Sequence, residues 1–184
     1  MPNQNLKILT RDNKAEEKFL RRQTANFDFT KYSKKEINAM VKEMKEKMIE
    51  ADGIGLAANQ IGLDMRVFVA QVRATSRRSA NSVTSEDQKF YAIFNPKIIK
   101  TSDKKTLMEE GCLSVPGGYY GDVERPEKIT LVGQDKNAKK IKIKAWGLLA
   151  KVFQHEVDHL NGILYIDKCK NLRKYENVRK YEKQ

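Results

Sequence analysis

The chain has 184 residues, 40% of them hydrophobic and 33% charged, with a formal net charge of +12. That length suits a single domain with a real core, and that balance excludes a disordered chain; no apolar run is long enough to span a bilayer as a helix. The excess positive charge suits a polyanion such as RNA, a ribosome surface or anionic lipid, and equally a soluble protein of Lys-rich composition.

The N-terminal MPNQNLKILTRDNK lacks the apolar core of a signal peptide, and KAEEKFLRR after it predicts a short helix. Ser33 and Glu36 then have capping-box spacing, and Ile37, Met40, Val41, Met44 and Met48 recur on one face. A helix is expected there, ending before Gly53. RVFVAQV (66–72) reads as a buried strand. Residues 73–89 are polar and Ser-rich, which predicts a loop insertion. FYAIFNPKII predicts another strand, with Pro96 marking an edge or an irregularity. KITLVGQ and KKIKIKA alternate on either side of DKNA and predict a hairpin.

A helix is expected from about Gly147 to near Gly162, followed by a short strand in GILYID. The basic tail, 168–184, spaces Leu172, Tyr175 and Val178 as a helix would. The strands are not separated by regular crossover helices. The expected class is therefore α+β: one domain over 1–184, with antiparallel sheets packed around the helix of 147–162 and a C-terminal helix. Two cysteines, Cys112 and Cys169, make no disulfide framework, so a reducing, cytosolic setting is expected.

Both histidines of the chain fall in QHEVDH (154–159). Positions i and i+4 of a helix share a face, so His155 and His159 can aim two imidazoles at one point. Glu156 lies about 100° round the helix, able to reach a water beside a metal ion without binding the ion. Two ordinary helical histidines are the plainer alternative, and the placing of every histidine here argues against it. A catalytic metal site usually takes three protein ligands and keeps a fourth position open. With no third histidine, the remaining ligand is a carboxylate or a cysteine. EEGCLSVPGG offers Cys112, whose plainer role is that of a small buried apolar residue. Cys169 stands in a charged tail with no partner signal.

GIGLAANQ (53–60), EGCLS (110–114) and QHEVDH (154–159), in that order, resemble the three signature motifs of the peptide deformylase family. VPGGYYGDVERPEKI and GLLAKVFQHEVDHLNGILYID extend the resemblance, which runs from about Gly53 to Asp167. It implies a hydrolase that removes the formyl group from the N-terminal methionine of new peptides. Cys112, His155 and His159 would hold the metal, and Glu156 would transfer protons. Gln60 and the backbone N–H of Leu113 would stabilise the oxyanion. Ile54, Gly55 and Gly111 would lie along the peptide, with Leu148 and Val152 lining the pocket for the methionine side chain. Lys151 stands beside them where an apolar residue is easier to explain. Glu110 and Arg125 would form an ion pair bracing the Cys112 segment, and Asp158 is a candidate to orient an imidazole.

The cofactor implied is one divalent ion per chain, Fe(II) by resemblance, with Zn(II), Ni(II) or Co(II) able to replace it; the ligand set alone points to zinc. The partners implied are N-formyl-methionyl nascent peptides. The basic tail is a candidate ribosome contact, and no membrane partner is expected.

Two other readings use the same residues. A zincin-type metallopeptidase would take its third ligand downstream, from Asp167, Glu176 or Glu182, leaving Cys112 unexplained. A basic RNA- or ribosome-binding protein with a structural metal would explain the charge, but a closed site needs four ligands and three can be named.

Overall fold

The computed structural model describes residues 6–73 and 88–174. Its first helix, α1 (Lys14–Leu20), starts where the Asn13 side chain accepts from the backbone N–H of Ala15 and Glu16. The long helix α2 (Lys34–Glu50) has the full capping box: Ser33 Oγ accepts from Glu36 N at 3.2 Å, and the Glu36 carboxylate accepts from Ser33 N at 2.8 Å. Helix α3 (Gly147–Leu160) carries QHEVDH.

The larger sheet is antiparallel throughout. Its strands are β1 (Gly55–Ala57), β2 (Val67–Arg73), β3 (Gln88–Thr101), β6 (Lys128–Gln134) and β7 (Lys140–Trp146), in the order β1-β2-β3-β6-β7. Alternation along β2 separates two cores. Phe68, Ala70 and Val72 pack with Ala150, Phe153, Val157 and Leu160 of α3. Val67 and Val69 face the opposite way, onto Ile37, Val41, Met44 and Met48 of α2. Fully burying an aliphatic or aromatic side chain stabilises by about 1.5–3 kcal/mol, so these cores fix α3 firmly against the sheet.

A second antiparallel sheet runs in the order β4 (Lys105–Glu110), β5 (Tyr119–Pro126), β8 (Lys170–Lys174). Val115, Val123, Leu164 and Tyr165 form its small core. Helix α3 thus contacts both sheets, and its Lys151 and His155 reach Glu109 and Glu110 at the end of β4.

The α+β class, the α2 and α3 helices and the β6–β7 hairpin match the sequence reading. Pro96 sits at a register shift between Phe94 and Lys97, beside Asn95 at φ 50°. Three details differ. GILYID is no strand: Asp167 accepts from Leu164 N at 2.9 Å and closes a 3-10 turn, Tyr165–Asp167, with Tyr165 buried. The predicted 73–89 loop begins and ends in strand, since Arg73 pairs with Gln88; residues 74–87 lie outside the described residues. The tail enters as strand β8 instead of helix, because Arg173 reaches across to Asp122 at 2.8 Å and Glu109 at 2.9 Å. Residues 175–184 lie outside the described residues.

Candidate metal centre and catalytic cleft

Three segments distant in sequence meet over α3. The helix supplies His155, Glu156 and His159. The turn after β4 supplies Cys112, closed by Val115 N donating to Cys112 O at 3.0 Å. A 3-10 turn after β1, Ala58–Ile61, supplies Gln60. Asn59 in that turn donates to the carbonyl of His159 at 2.6 Å, tying it to the last turn of α3.

Cys112 Sγ lies 3.1 Å from His159 Nε2, which lies 3.2 Å from His155 Nε2. The three donor atoms all fall within 4.8 Å of one another. His155 Nδ1 is 2.9 Å from Glu110 Oε2. With the Nδ1 proton donated to that carboxylate, Nε2 turns its lone pair toward the cluster. One sulfur and two nitrogens at such spacing suit a divalent transition ion, which accepts all three as ligands. Glu110, not Asp158, orients the imidazole; Asp158 pairs instead with Arg125 Nη1 at 2.8 Å and Lys168 Nζ at 2.6 Å.

The expected brace is present and buried. Arg125 donates through Nε and Nη2 to both oxygens of Glu110, at 2.5 and 2.9 Å. Burial alone would raise the Glu110 carboxyl; the hydrogen bonds from His155 and Arg125 outweigh it and hold it down to about 2. Burial pushes His159 well below its ordinary value, which keeps it a neutral donor.

Glu156 is 3% exposed, and its Oε2 has no hydrogen-bond partner among the described residues. Burial raises its pKa to about 7. Its other oxygen lies against the backbone of Gly55, where a Cβ would collide with the carboxylate. That close approach is what Gly55 permits. Gly111 has a matching role: a Cβ there would sit 2.7 Å from the Tyr120 ring.

The Gln60 amide is buried and its orientation is fixed. Oε1 accepts from Ala57 N at 2.8 Å, so Nε2 points into the site, 3.2 Å from Ser114 Oγ and 3.6 Å from Cys112 Sγ. The Leu113 N–H donates to no described residue.

These groups open onto a cleft of about 600 Å³ lined by Ile54, Gly55, Gln60, Gly111, Cys112, Leu113, Val152, His155 and Glu156. Leu148 does not line it; one turn before Val152, it sits 37% exposed. Tyr119, Tyr120 and Lys151 line the cleft as well. Lys151 Nζ donates to the carbonyl of Glu109, and burial lowers its pKa. The two tyrosines lie in the GGYYG stretch quoted for the resemblance, where their glycine neighbours hid the strand that presents them. The downstream acid Asp167, the peptidase alternative for a third ligand, is spent on Arg21 and the 3-10 turn. Glu176 and Glu182 lie outside the described residues.

A helix-borne pair of imidazoles, a thiol from a separate loop and a free buried carboxylate in one cleft define the kind of site used by metal-dependent hydrolases. A profile of the polypeptide deformylase family matches residues 6–175, reaching well before the Gly53 motif. The peptide deformylase of Methylocella silvestris is 41% identical over 148 residues, covering 80% of this chain and 72% of that protein. A crystal structure of a probable peptide deformylase from Synechococcus phage S-SSM7 shares 39% identity, with a TM-score of 0.75, over 89% of this chain and 99% of that one. The peptide deformylase of Synechococcus elongatus, solved in complex with actinonin, shares 31% identity with a TM-score of 0.75, over 93% of this chain and 82% of that one. The chain belongs to the polypeptide deformylase family. It is an enzyme, a hydrolase.

Proposed function

We propose that this enzyme removes the N-formyl group from the terminal formyl-methionine of new polypeptides, releasing formate, with one divalent ion held by Cys112, His155 and His159. The observation that carries the reading is the convergence of that donor set with the unpaired Glu156 carboxylate in a single cleft. Fe(II) is the ion the family resemblance implies, with Zn(II), Ni(II) or Co(II) as substitutes.

A formamide is unreactive, and a divalent ion supplies the missing reactivity by lowering the pKa of a bound water from about 15.7 toward 7. Glu156 accepts a proton from the attacking water and delivers it to the departing amine nitrogen; a carboxyl titrating near neutrality suits both transfers. Gln60 Nε2 and the Leu113 N–H donate to the developing oxyanion, and neither brings a charge that competes for the metal. The peptide lies along β1, an edge strand of its sheet, with Ile54 and Gly55 on one side and Gly111 on the other. Val152 lines the methionine pocket. Leu148, one turn before Val152 and 37% exposed, would extend that pocket toward its rim.

Protein purified without oxygen is expected to hold about one ion per chain and to release formate from a formyl-methionyl peptide. Cys112→Ala should lose both together. Full metal with no formate release sinks the proposal, and full metal in Cys112→Ala favours the peptidase alternative.

Formyl-methionyl chains emerge from ribosomes, so this reading implies the bacterial cytosol, with an organelle of a eukaryote as the alternative. No helix among the described residues is long and apolar enough to cross a membrane. Docking through the basic tail after Lys168 follows from the same reading. Removing residues 169–184 should weaken co-sedimentation with ribosomes at low salt; unchanged sedimentation excludes this contact.

A further inference from the structure

The face of the larger sheet that α2 covers at β2 and at Phe94 of β3 continues across β6 and β7 beyond that helix's core. Cross-strand partners share a face. Ile129, Leu131 and Ala145 pack under α3. The pairs Lys128↔Trp146, Thr130↔Lys144, Val132↔Lys142 and Gln134↔Lys140 therefore point the other way. On β3, Lys97 pairs with Val132 and Lys100 with Thr130, so both join this face. Residues 97–101, 128–134 and 140–146 contain no Asp or Glu. The six lysines are exposed, and none has an ion-pair partner among the described residues. Trp146 is the chain's only tryptophan and is 56% exposed. With Lys100, Lys128, Thr130 and Lys144 it lines an open depression of about 810 Å³.

The hydrophobic cores use neither the lysine row nor the indole. Like charges this close repel, and an exposed indole leaves apolar surface in water. Both costs fall when a polyanion with stacking faces covers them. Lys140, Lys142 and Lys144 project from one side of a strand about 7 Å apart, a row that can follow a phosphate backbone. At the end of that row the indole offers a platform for a base. A lipid surface fits less well, because the lysines occupy the same face as the ring in cross-strand register and do not flank an apolar patch.

We propose that the β3–β6–β7 face docks single-stranded RNA, with phosphates along Lys140, Lys142 and Lys144 and a base stacked on Trp146. The choice of RNA rests in part on the proposed function, since nascent formyl-methionyl chains are made beside RNA. Formate release and RNA binding are read separately, so either can fail while the other stands.

The probe is an oligouridylate of about twelve nucleotides, titrated into the full chain while Trp146 fluorescence is followed. Saturable quenching at low salt is expected, with a log–log salt slope near −2 for three phosphates at about −0.7 each. Lys142→Glu/Lys144→Glu should weaken binding by at least about tenfold and leave formate release unchanged. Lys34→Glu/Lys35→Glu, the same charge change on exposed positions of α2, should bind as the parent does. Absence of quenching at low salt overturns the proposal. So does an equal loss in both double variants, which reduces the effect to net charge. Stronger quenching by anionic phospholipid vesicles than by the RNA overturns it in favour of a membrane.

Discussion

Glu156→Gln is expected to keep its fold and its metal and to lose about 10²–10⁴-fold in kcat, the range that general acid–base catalysis contributes. Glutamine preserves the shape of the side chain against Gly55, where space is tightest. It keeps a hydrogen-bonding oxygen but cannot take up and return a proton. KM should move little, because the carboxylate acts on water and the leaving amine and not on the bound peptide.

The same variant has a signature in stability. Burial raises the folded pKa of Glu156 to about 7 from an ordinary 4.5. Its contribution to stability is therefore complete below about 4.5 and is lost as pH rises through about 7. A neutral glutamine escapes that loss. Metal-free Glu156→Gln should thus unfold at a higher temperature than the metal-free parent at pH 8, and the gap should narrow toward pH 5. A kcat loss under about tenfold would remove Glu156 from the chemistry.

The parts of the fold with a clean period were legible in the sequence. Helix α2 announced itself by capping residues and apolar spacing, and β6–β7 by alternation around a turn. The second sheet was not. KTLMEE and YYGDVERP carry charges and glycine at positions that read as exposed, yet Glu110 and Arg125 are buried because each satisfies the other. A pattern of single residues cannot reveal a pair that is tolerable only together. Likewise, the spacing of His155 and His159 declared a metal helix, but Cys112 joins them from 47 residues before His159. The ligand count left a carboxylate or a cysteine open, with Cys112 as a candidate, and the motif resemblance chose between them. The tail misled for a related reason: the helical spacing of Leu172 competes with an open edge on β5 and with two carboxylates that Arg173 bridges.

That buried pairing makes Arg125→Ala the substitution with the largest expected effect on stability, a loss of about 3–5 kcal/mol. Arg125 is 5% exposed and serves Glu110 twice and Asp158 once. Asp158 keeps Lys168 when the guanidinium is gone, whereas Glu110 keeps only His155. The cost therefore falls mainly on Glu110, a carboxylate left in the interior with its bidentate partner removed. Its folded pKa, now about 2, lies below the ordinary 4.5. The stability it contributes is present above about 4.5 and is lost as pH falls toward 2. The difference in thermal midpoint between parent and Arg125→Ala should accordingly be widest near neutrality and close below pH 4.5. Arg125→Lys should recover only part of the loss, because an ammonium cannot fill the two-pronged site. Since Glu110 also holds the His155 ring, metal affinity in Arg125→Ala should fall about 10–100-fold, measurable by competition with a chelator. A variant that is destabilised yet binds metal as the parent does would separate the two jobs and leave Arg125 a purely structural residue.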